Sequence, residues 1–302
     1  MALNTQIWLA TIQENLFPDN SFAIHSVDDS QWVNNKTVHI PNAGAPSGVK
    51  KNRTSKPATV NTRTDNELTY DIDEFTTDPI YIPNIDTVEL SYDKRNSVIQ
   101  NDREQLHQEV HQNLLYQWYD GASFVNTTGE ARDAHTSSTA TGKRKKITKD
   151  DVLNLMVKFN KDNVSKDGRF LLLDSIMYAD LLASLTNNDY LAFVASADAQ
   201  KGILGKLYSF NVMERSEVLR MKADGKTILE WDKTAVAGEV AAGFAWQEGC
   251  VSRAVGAVKM FDDTNSPTYY GDIYSFLMRA GGKYRRYDKK GVCAIVEATA
   301  TE

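Results

Sequence analysis

The sequence has 302 residues, of which 34 are Lys or Arg and 40 are Asp or Glu, so the formal net charge is −6. Hydrophobic residues make up 41% and charged residues 25%, as in a soluble globular chain, and no apolar run reaches the roughly 18–20 residues of a membrane span. The first ten residues lack a secretory signal, two cysteines cannot form a disulfide framework, and a mildly acidic chain is a poor general binder of nucleic acid.

The first predicted element is a short helix that leads into an extended apolar segment. Trp8, Ile12 and Leu16 recur at i, i+4 and i+8, and Pro18 ends the helix. The segment around and after the proline carries four large apolar side chains: Phe17, Phe22, Ile24 and Trp32. Such a thin segment cannot form a core of its own. It is either a strap over the core of its own subunit or an arm across a neighbouring subunit.

The next stretch separates positive from negative charge. Residues 36–41 alternate as a half-buried strand. Five basic residues and no acidic one then lie between positions 50 and 63: Lys50, Lys51, Arg53, Lys56 and Arg63. Six acidic residues and no basic one lie between positions 65 and 78: Asp65, Glu67, Asp71, Asp73, Glu74 and Asp78. Turn-forming residues at 64–66 between the blocks predict a long hairpin with a basic limb and an acidic limb.

This predicted hairpin needs a surface to lie on. Leu68, Tyr70 and Ile72 give it one apolar face, but an isolated two-stranded ribbon is marginally stable in water. It can dock on its own domain or on the next copy of the protein. A grip on nucleic-acid phosphates is less favoured, because the acidic limb offsets the attraction of the basic limb.

A long amphipathic helix is predicted over residues 97–118. Its apolar stripe consists of Leu106, Val110, Leu114 and Trp118. Ser97 with Gln100 fits a capping box at the start, and Gly121 follows the end. Because the other faces are densely polar, the helix should lie across a sheet or groove and not inside a bundle.

The rest of the chain mixes helices and strands without a βαβ rhythm, so the fold class is α+β. Residues 126–146 are polar and end in a run of four basic residues, which predicts a mobile loop. Helices are predicted after a Thr148–Asp151 cap, over 175–185 and near 249–258. Strands are predicted over 169–173, 241–246, 270–278 and 291–297.

Candidate catalytic motifs are few, and each has a simpler interpretation. His107 and His111 lie one helical turn apart, but the sequence nominates no third metal ligand. Gly225-Lys226-Thr227 is similar to the end of a phosphate-binding loop, yet the glycine that should precede it is Arg220, so a polar turn is favoured.

Two further pairs of residues are interpreted as structural. Cys250 and Cys293 lie in apolar surroundings and are expected to act as small core residues. The pair Asp28-Asp29 is expected in a solvated loop. Nothing in the sequence argues for an enzyme, and no cofactor or metal is expected.

The order of these segments resembles the major capsid protein of tailed bacteriophages, whose fold is named after phage Hong Kong 97. Residues 8–22 look like the N-terminal arm of that family, and residues 36–44 resemble the strand that leads into its extended loop. The two-sign segment 45–80 matches that loop, and residues 97–118 match the long spine helix. Residues 163–173 resemble the start of the axial domain, and 205–213 and Gly271-Asp272 are similar to recurring positions of the family.

The resemblance implies an α+β chain in four parts. These are an N-terminal arm over 1–35, an extended loop with its leading strand over 36–88, a peripheral domain over 89–165, and an axial domain with returning peripheral strands over 166–302. The implied function is self-assembly into the hexamers and pentamers of an icosahedral head that encloses double-stranded DNA. It also implies that the arm and the loop contact neighbouring subunits, through Trp8, Ile12, Phe17, Phe22, Lys50, Lys51, Arg53, Lys56, Arg63, Asp65, Glu67, Asp71, Asp73 and Glu74.

The resemblance further implies partners and a location. Besides other copies, the expected partners are portal, separate scaffolding and decoration proteins, and packaged DNA through weak sequence-independent contact, with no membrane. Separate scaffolding, or none, is expected because this sequence reaches the arm directly from Met1, without the scaffolding segment of many relatives. The protein would be part of the virion, assembled in the host bacterial cytoplasm.

Two alternatives remain open. A protein nanocompartment of the encapsulin kind would use the same fold to enclose protein cargo instead of DNA. A cytosolic enzyme that uses the His107/His111 pair or the Gly225 turn is less favoured.

Overall fold

The computed structural model describes residues 21–42, 49–54, 57, 60, 65–83, 94–230 and 234–300. The predicted N-terminal helix with Trp8 and Ile12 lies outside the described residues, as do Phe17, Lys56 and Arg63. The described part mixes helices and strands, so the α+β class is confirmed. None of its helices is long and apolar enough to cross a membrane.

The elements follow one another in this order. The first are strands β1 (Val27–Asp28), β2 (Val33–Asn34), β3 (Thr37–Asn42), β4 (Asn66–Asp71), β5 (Asp73–Thr76) and β6 (Ile80–Pro83). Next come helix α1 (Lys94–Tyr119), strands β7 (Ser123–Asn126), β8 (Ala131–Asp133) and β9 (Lys143–Lys145), helix α2 (Lys149–Lys161), strand β10 (Arg169–Asp174), and helices α3 (Ser175–Ser184) and α4 (Asn187–Val194). The remaining strands are β11 (Gly205–Leu207), β12 (Phe210–Arg215), β13 (Leu219–Met221), β14 (Ile228–Leu229), β15 (Val240–Gln247), β16 (Val251–Ser266), β17 (Gly271–Tyr284), β18 (Val292–Val296) and β19 (Thr299–Ala300).

The core is built on an eight-stranded sheet covered on both faces. Its main path is β11-β12-β10-β15-β13-β14, and β18 and β7 extend it beyond β15. Along β10, Leu172 packs in one cluster with the Trp118 end of α1, while Leu171 and Leu173 pack in another with α2 and α3. Because both faces are buried, β10, β15 and β18 carry continuous apolar runs instead of alternating ones.

A second sheet is dominated by the long antiparallel pair β16–β17, joined by β1, β5 and β6. The helix predicted near 249–258 is wrong, because β16 occupies that stretch. Between Val255 and Val258 three steps along β16 oppose two along β17, which is a β-bulge. The extra residue interrupts the alternation of inward and outward side chains along β16. The apolar residues there are therefore spaced as they would be in a helix.

Helix α1 crosses the second sheet, as the apolar stripe indicated. The four stripe residues are buried, and the Trp118 Nε1 atom donates to the Ser252 carbonyl at 2.7 Å. Gly282 of β17 allows this close approach, because a Cβ there would lie 2.4 Å from the Leu114 Cδ1 atom. The helix begins at Lys94, so the predicted start at a Ser97 cap is wrong.

The structure shows a pairing that the hairpin prediction did not include. Strand β4 of the acidic limb pairs with β3, with Asn42 opposite Asn66. Its apolar face is confirmed, since Leu68 and Tyr70 are buried. The described basic residues Lys50, Lys51 and Arg53 lie in no strand, within the connection that leads from β3 to β4.

The predicted mobile loop at 126–146 is instead ordered by three short strands. β8 pairs with β9, and β9 pairs with β19. Arg144, which belongs to the basic run at the end of this segment, is only 3% exposed and donates to the carbonyls of Thr141 and Glu239. At the next helix the predicted cap is confirmed, because the Asp151 carboxylate accepts from the Thr148 backbone N–H at 2.8 Å.

Candidate assembly surfaces

The segment that starts at Ser21 is a strap over its own subunit. Phe22 is buried, with its ring centroid 5.8 Å from that of Trp118 and 6.2 Å from that of Trp246. The apolar surface of Phe22 is therefore covered within the chain, and its contact with a neighbouring subunit stays a prediction. The same expectation for Trp8, Ile12 and Phe17 lies outside the described residues.

Two arginines fix this strap in place. Arg253 Nη1 donates to the carbonyls of Ala23 at 2.8 Å and Ser26 at 2.9 Å. Arg285 Nη1 lies 2.6 and 2.8 Å from the two carboxylate oxygens of Asp29, which is only 5% exposed. The solvated loop expected for Asp28-Asp29 is therefore wrong at Asp29. A charge-assisted pair at a buried position holds the strap strongly.

The acidic limb also contacts its own subunit. Asp73 Oδ2 accepts from Asn113 Nδ2 at 3.0 Å and from Gln117 Nε2 at 2.6 Å, both on α1. Glu74 pairs with Arg279 of β17 at 2.9 Å. These contacts explain why the densely polar face of α1 lies beside β5.

The limb is further tied to β3. Glu67 Oε1 lies 2.7 Å from His39 Nδ1, and Asp71 accepts from the Thr37 hydroxyl at 2.6 Å. The intersubunit roles of Asp65, Glu67, Asp71, Asp73 and Glu74 stay predictions. The carboxylates of Glu67, Asp71, Asp73 and Glu74 each contact a named residue within the subunit.

The basic segment behaves differently from the acidic limb. Lys50, Lys51 and Arg53 are exposed, and none of them forms an ion pair with a residue in the part of the chain that the structure describes. Among the described residues, acidic side chains of this segment are thus held within the subunit, whereas Lys50, Lys51 and Arg53 are presented to solvent.

Two exposed apolar patches lie elsewhere on the surface. On the β16–β17 pair, Tyr270 at the tip is 79% exposed and Phe261 of β16 is 53% exposed. The rings of Tyr81 and Tyr269 lie 6.5 Å apart. On α4, Leu191 is 67% exposed, next to Tyr190. Contiguous exposed apolar groups of this kind are typical of surfaces that contact other proteins.

The residues considered as catalytic candidates, His111 and the Gly225 motif, form structural contacts within the subunit. Burial lowers the pKa of His111 to about 3, and its Nε2 atom lies 3.2 Å from the Ser21 hydroxyl. The Gly225 motif is a turn in which Asp224 Oδ1 accepts the backbone N–H groups of Lys226 and Thr227, both at 2.9 Å. Among the described residues no group of three or more His, Cys, Asp or Glu side chains is arranged to hold a metal ion.

The two cysteines are buried and unbonded, as predicted. Burial raises the pKa of the Cys293 thiol to about 11. A thiol that stays protonated inside a core is a poor nucleophile.

Sequence reasoning missed a buried charge cluster that joins three parts of the chain. Arg132 of β8 donates to Asp180 of α3 at 2.7 Å and to Glu297, which follows β18. His135 lies within hydrogen-bonding distance of Arg132 Nη1, at 2.5 Å, and of Asp174 Oδ2, at 3.0 Å. Burial raises the pKa of Glu297 to about 7. No local motif signals this cluster, because its members are up to 165 positions apart.

More than nine-tenths of the chain is similar to capsid structures. It matches the capsid of the cyanophage P-SCSP1u with 13% identity and a TM-score of 0.63, covering 91% of this chain and 87% of that one. It matches the capsid of Ralstonia phage GP4 with 12% identity and a TM-score of 0.64, covering 95% and 91%.

A third match is a virus-like particle from Pyrococcus furiosus, with 9% identity and a TM-score of 0.53, covering 96% of each chain. No protein-family model and no curated protein matches this sequence. The full-length likeness to phage capsid structures confirms the resemblance as far as the fold is concerned. The chain has the Hong Kong 97-type capsid fold.

Proposed function

We propose that this chain is the subunit of a closed protein shell, the major capsid protein of an icosahedral phage head that assembles from hexamers and pentamers around double-stranded DNA. The observation that carries the proposal is the likeness to phage capsids over 91–95% of the chain. The surface supports it, because the basic segment and the two apolar patches are exposed in the single subunit. A shell without enzymatic turnover needs such contacts and no catalytic centre.

The proposal includes the finer roles expected from the resemblance. The connection between β3 and β4 acts as the extended loop that reaches a neighbouring subunit, and the residues before Ser21 act as an arm. The same proposal includes the division of the chain into four parts after residues 35, 88 and 165. It also includes the portal, scaffolding and decoration partners, the weak DNA contact and the assembly in the host cytoplasm.

A second candidate is a nanocompartment shell that encloses protein cargo. It is favoured by the match to the virus-like particle from Pyrococcus furiosus, which covers 96% of both chains. Particles isolated from the natural host distinguish the two functions. Nuclease-protected double-stranded DNA is expected for the head, and a stoichiometric folded protein for the compartment.

The loop is tested by the triple substitution Lys51→Glu, Arg53→Glu and Lys56→Glu. We expect shell assembly to be impaired while the subunit stays soluble, because reversed charge at an intersubunit contact creates repulsion worth several kcal/mol. Sedimentation and electron microscopy measure the assembled fraction.

The matched control reverses three exposed lysines outside the loop, Lys166→Glu, Lys222→Glu and Lys226→Glu. It carries the same change in net charge and should assemble normally. If the loop variant assembles as well as the wild type, the loop is not an intersubunit element.

A further inference from the structure

A strongly basic turn joins the end of β17 to the start of β18. Residues 283–290 have the sequence Lys-Tyr-Arg-Arg-Tyr-Asp-Lys-Lys. Five basic residues against one acidic residue give this basic turn a formal charge of +4, whereas the whole chain has a net charge of −6. A local concentration of positive charge attracts polyanions even when the net charge of the chain is negative.

Most of the positive charge of the basic turn is not balanced within the subunit. Arg285 is balanced, because it pairs with the buried carboxylate of Asp29. Arg286 Nη2 and Lys290 Nζ share a single oxygen of Asp288, at 2.9 and 3.6 Å. One carboxylate cannot balance two cations, so this group keeps one positive charge in excess.

Two further lysines of the basic turn are held by groups that carry no net charge. Lys283 Nζ donates to the Thr69 carbonyl at 3.2 Å, and Lys289 Nζ donates to the Asp120 carbonyl at 2.6 Å. The two Nζ atoms lie over the Tyr284 ring, 5.6 and 5.0 Å from its centroid. Neither lysine forms an ion pair with a carboxylate in the part of the chain that the structure describes. Both therefore keep their charge while their positions are fixed.

An exposed tyrosine lies among these cations. Tyr287 is 64% exposed, and its backbone N–H donates to Asn42 Oδ1 at 3.3 Å, which ties the turn to the end of β3. Lys289 has a φ of 52°, so the chain reverses direction here with Tyr287 and Lys290 on the surface. Lysine, arginine and tyrosine are all side chains that hydrogen-bond to the phosphates of DNA.

A nucleic acid fits the basic turn better than an acidic protein does. A DNA duplex presents one negative charge per about 1.7 Å of its axis, so a small cluster of cations finds phosphates in any register. A stable contact with another protein would also bury an apolar core. Within 283–290 the one exposed large hydrophobic residue is Tyr287, which is too little apolar surface for such a core.

We infer that the basic turn contacts the phosphate backbone of the packaged double-stranded DNA, with Arg286, Tyr287 and Lys290 at the centre of the contact. The inference rests on the proposed function and adds the residues that meet the DNA. It also gives the subunit an orientation, because the basic turn then faces the inside of the shell. A few phosphate contacts bind weakly in one subunit, and their effect accumulates over the many subunits of a shell.

The salt dependence of DNA binding tests this surface. Arg286→Gln with Lys290→Gln removes two phosphate contacts, so the logarithm of the association constant should fall less steeply with the logarithm of salt concentration, by about 1.8 in slope. Fluorescence anisotropy of a short labelled duplex with the purified chain measures the slope. The control Lys166→Gln with Lys222→Gln removes the same charge at exposed positions elsewhere and should keep the wild-type slope. A wild-type slope in the basic-turn variant would overturn the inference.

A second polyanion distinguishes a nucleic acid from an acidic protein as the partner. Poly-L-glutamate and unlabelled duplex DNA compete separately for the wild-type chain, at equal concentrations of negative charge. We expect poly-L-glutamate to need about a tenfold higher concentration for half-displacement, because the duplex is more densely charged and releases more counterions. Equal competition by the two polymers would overturn the assignment to nucleic acid.

Unmodified particles cover the case in which the variants misfold. DNA-filled particles from the natural host are irradiated with ultraviolet light and digested, and the peptides that carry nucleotides are identified by mass spectrometry. We expect adducts on the peptide that contains Tyr287. Adducts exclusively on other peptides would overturn the inference while the shell function stands. If the wild-type chain forms no particles at all, the proposed function itself fails.

Discussion

Replacement of Trp118 by Ala is expected to lower the free energy of unfolding by about 3–5 kcal/mol. The Trp118 side chain is fully buried where the strap, α1 and the eight-stranded sheet meet, with ring centroids 5.6 Å from Trp246 and 6.4 Å from Phe244. The substitution leaves a cavity and removes the donor to the Ser252 carbonyl. Chemical denaturation of the unassembled subunit, followed by circular dichroism, measures the loss.

Trp32→Ala is the matched control. Trp32 is the same residue type but is 64% exposed, so its truncation should change the free energy of unfolding by no more than about 0.5 kcal/mol. Equal losses for the two variants would contradict the placement of Trp118 at the centre of the core.

Replacement of Arg132 by Met is expected to destabilise the subunit by about 3–5 kcal/mol at pH 8. The methionine fills a similar volume but leaves the buried carboxylate of Glu297 and the half-buried carboxylate of Asp180 without their guanidinium partner. Breaking one member of a buried ion pair costs this much because the remaining charge is uncompensated. Lys222→Met, at an exposed position, is the control and should be nearly neutral.

The loss at Arg132 should be smaller at pH 5.5 than at pH 8. Burial raises the pKa of Glu297 in the folded state to about 7, from an ordinary value of 4.5. Between pH 4.5 and about pH 7, Glu297 is protonated in the folded state but has released its proton in the unfolded state. The contribution of Glu297 to the free energy of unfolding therefore falls as the pH rises toward 7. At pH 5.5 Glu297 is neutral and needs its partner less. An equal loss at both pH values would contradict the buried position of Glu297.

Predictions from the sequence succeeded where a local pattern decided the structure. The stripe from Leu106 to Trp118, the Thr148–Asp151 cap and the apolar runs of β10, β15 and β18 each follow from periodicity or capping within a few residues. The overall fold followed from the order of these elements, since the resemblance depended on order more than on any single motif.

Predictions failed where distant residues decided the structure. The helix predicted at 249–258 gave way to a ladder with β17, whose bulge no local pattern reveals. The pairing of β4 with β3 was not predicted either, and its register is set by their shared apolar face.

The buried cluster around Arg132 escaped prediction for the same reason. Its members come from β8, α3 and the end of β18, and each looks like an ordinary surface charge in the sequence. Phe22 is a candidate site residue whose contacts could not be predicted from the sequence. From the sequence, an apolar residue on a thin segment can belong to a strap over its own subunit or to an arm across a neighbour. The contacts of the Phe22 ring with Trp118 and Trp246 show that it packs on its own subunit.

Electron microscopy of the purified wild-type chain, expressed alone and with a candidate scaffolding protein, tests the central claim most directly. The account predicts closed icosahedral particles of megadalton mass, built from a chain of 33.8 kDa. A strictly monomeric protein that binds stoichiometric zinc under both conditions would contradict it.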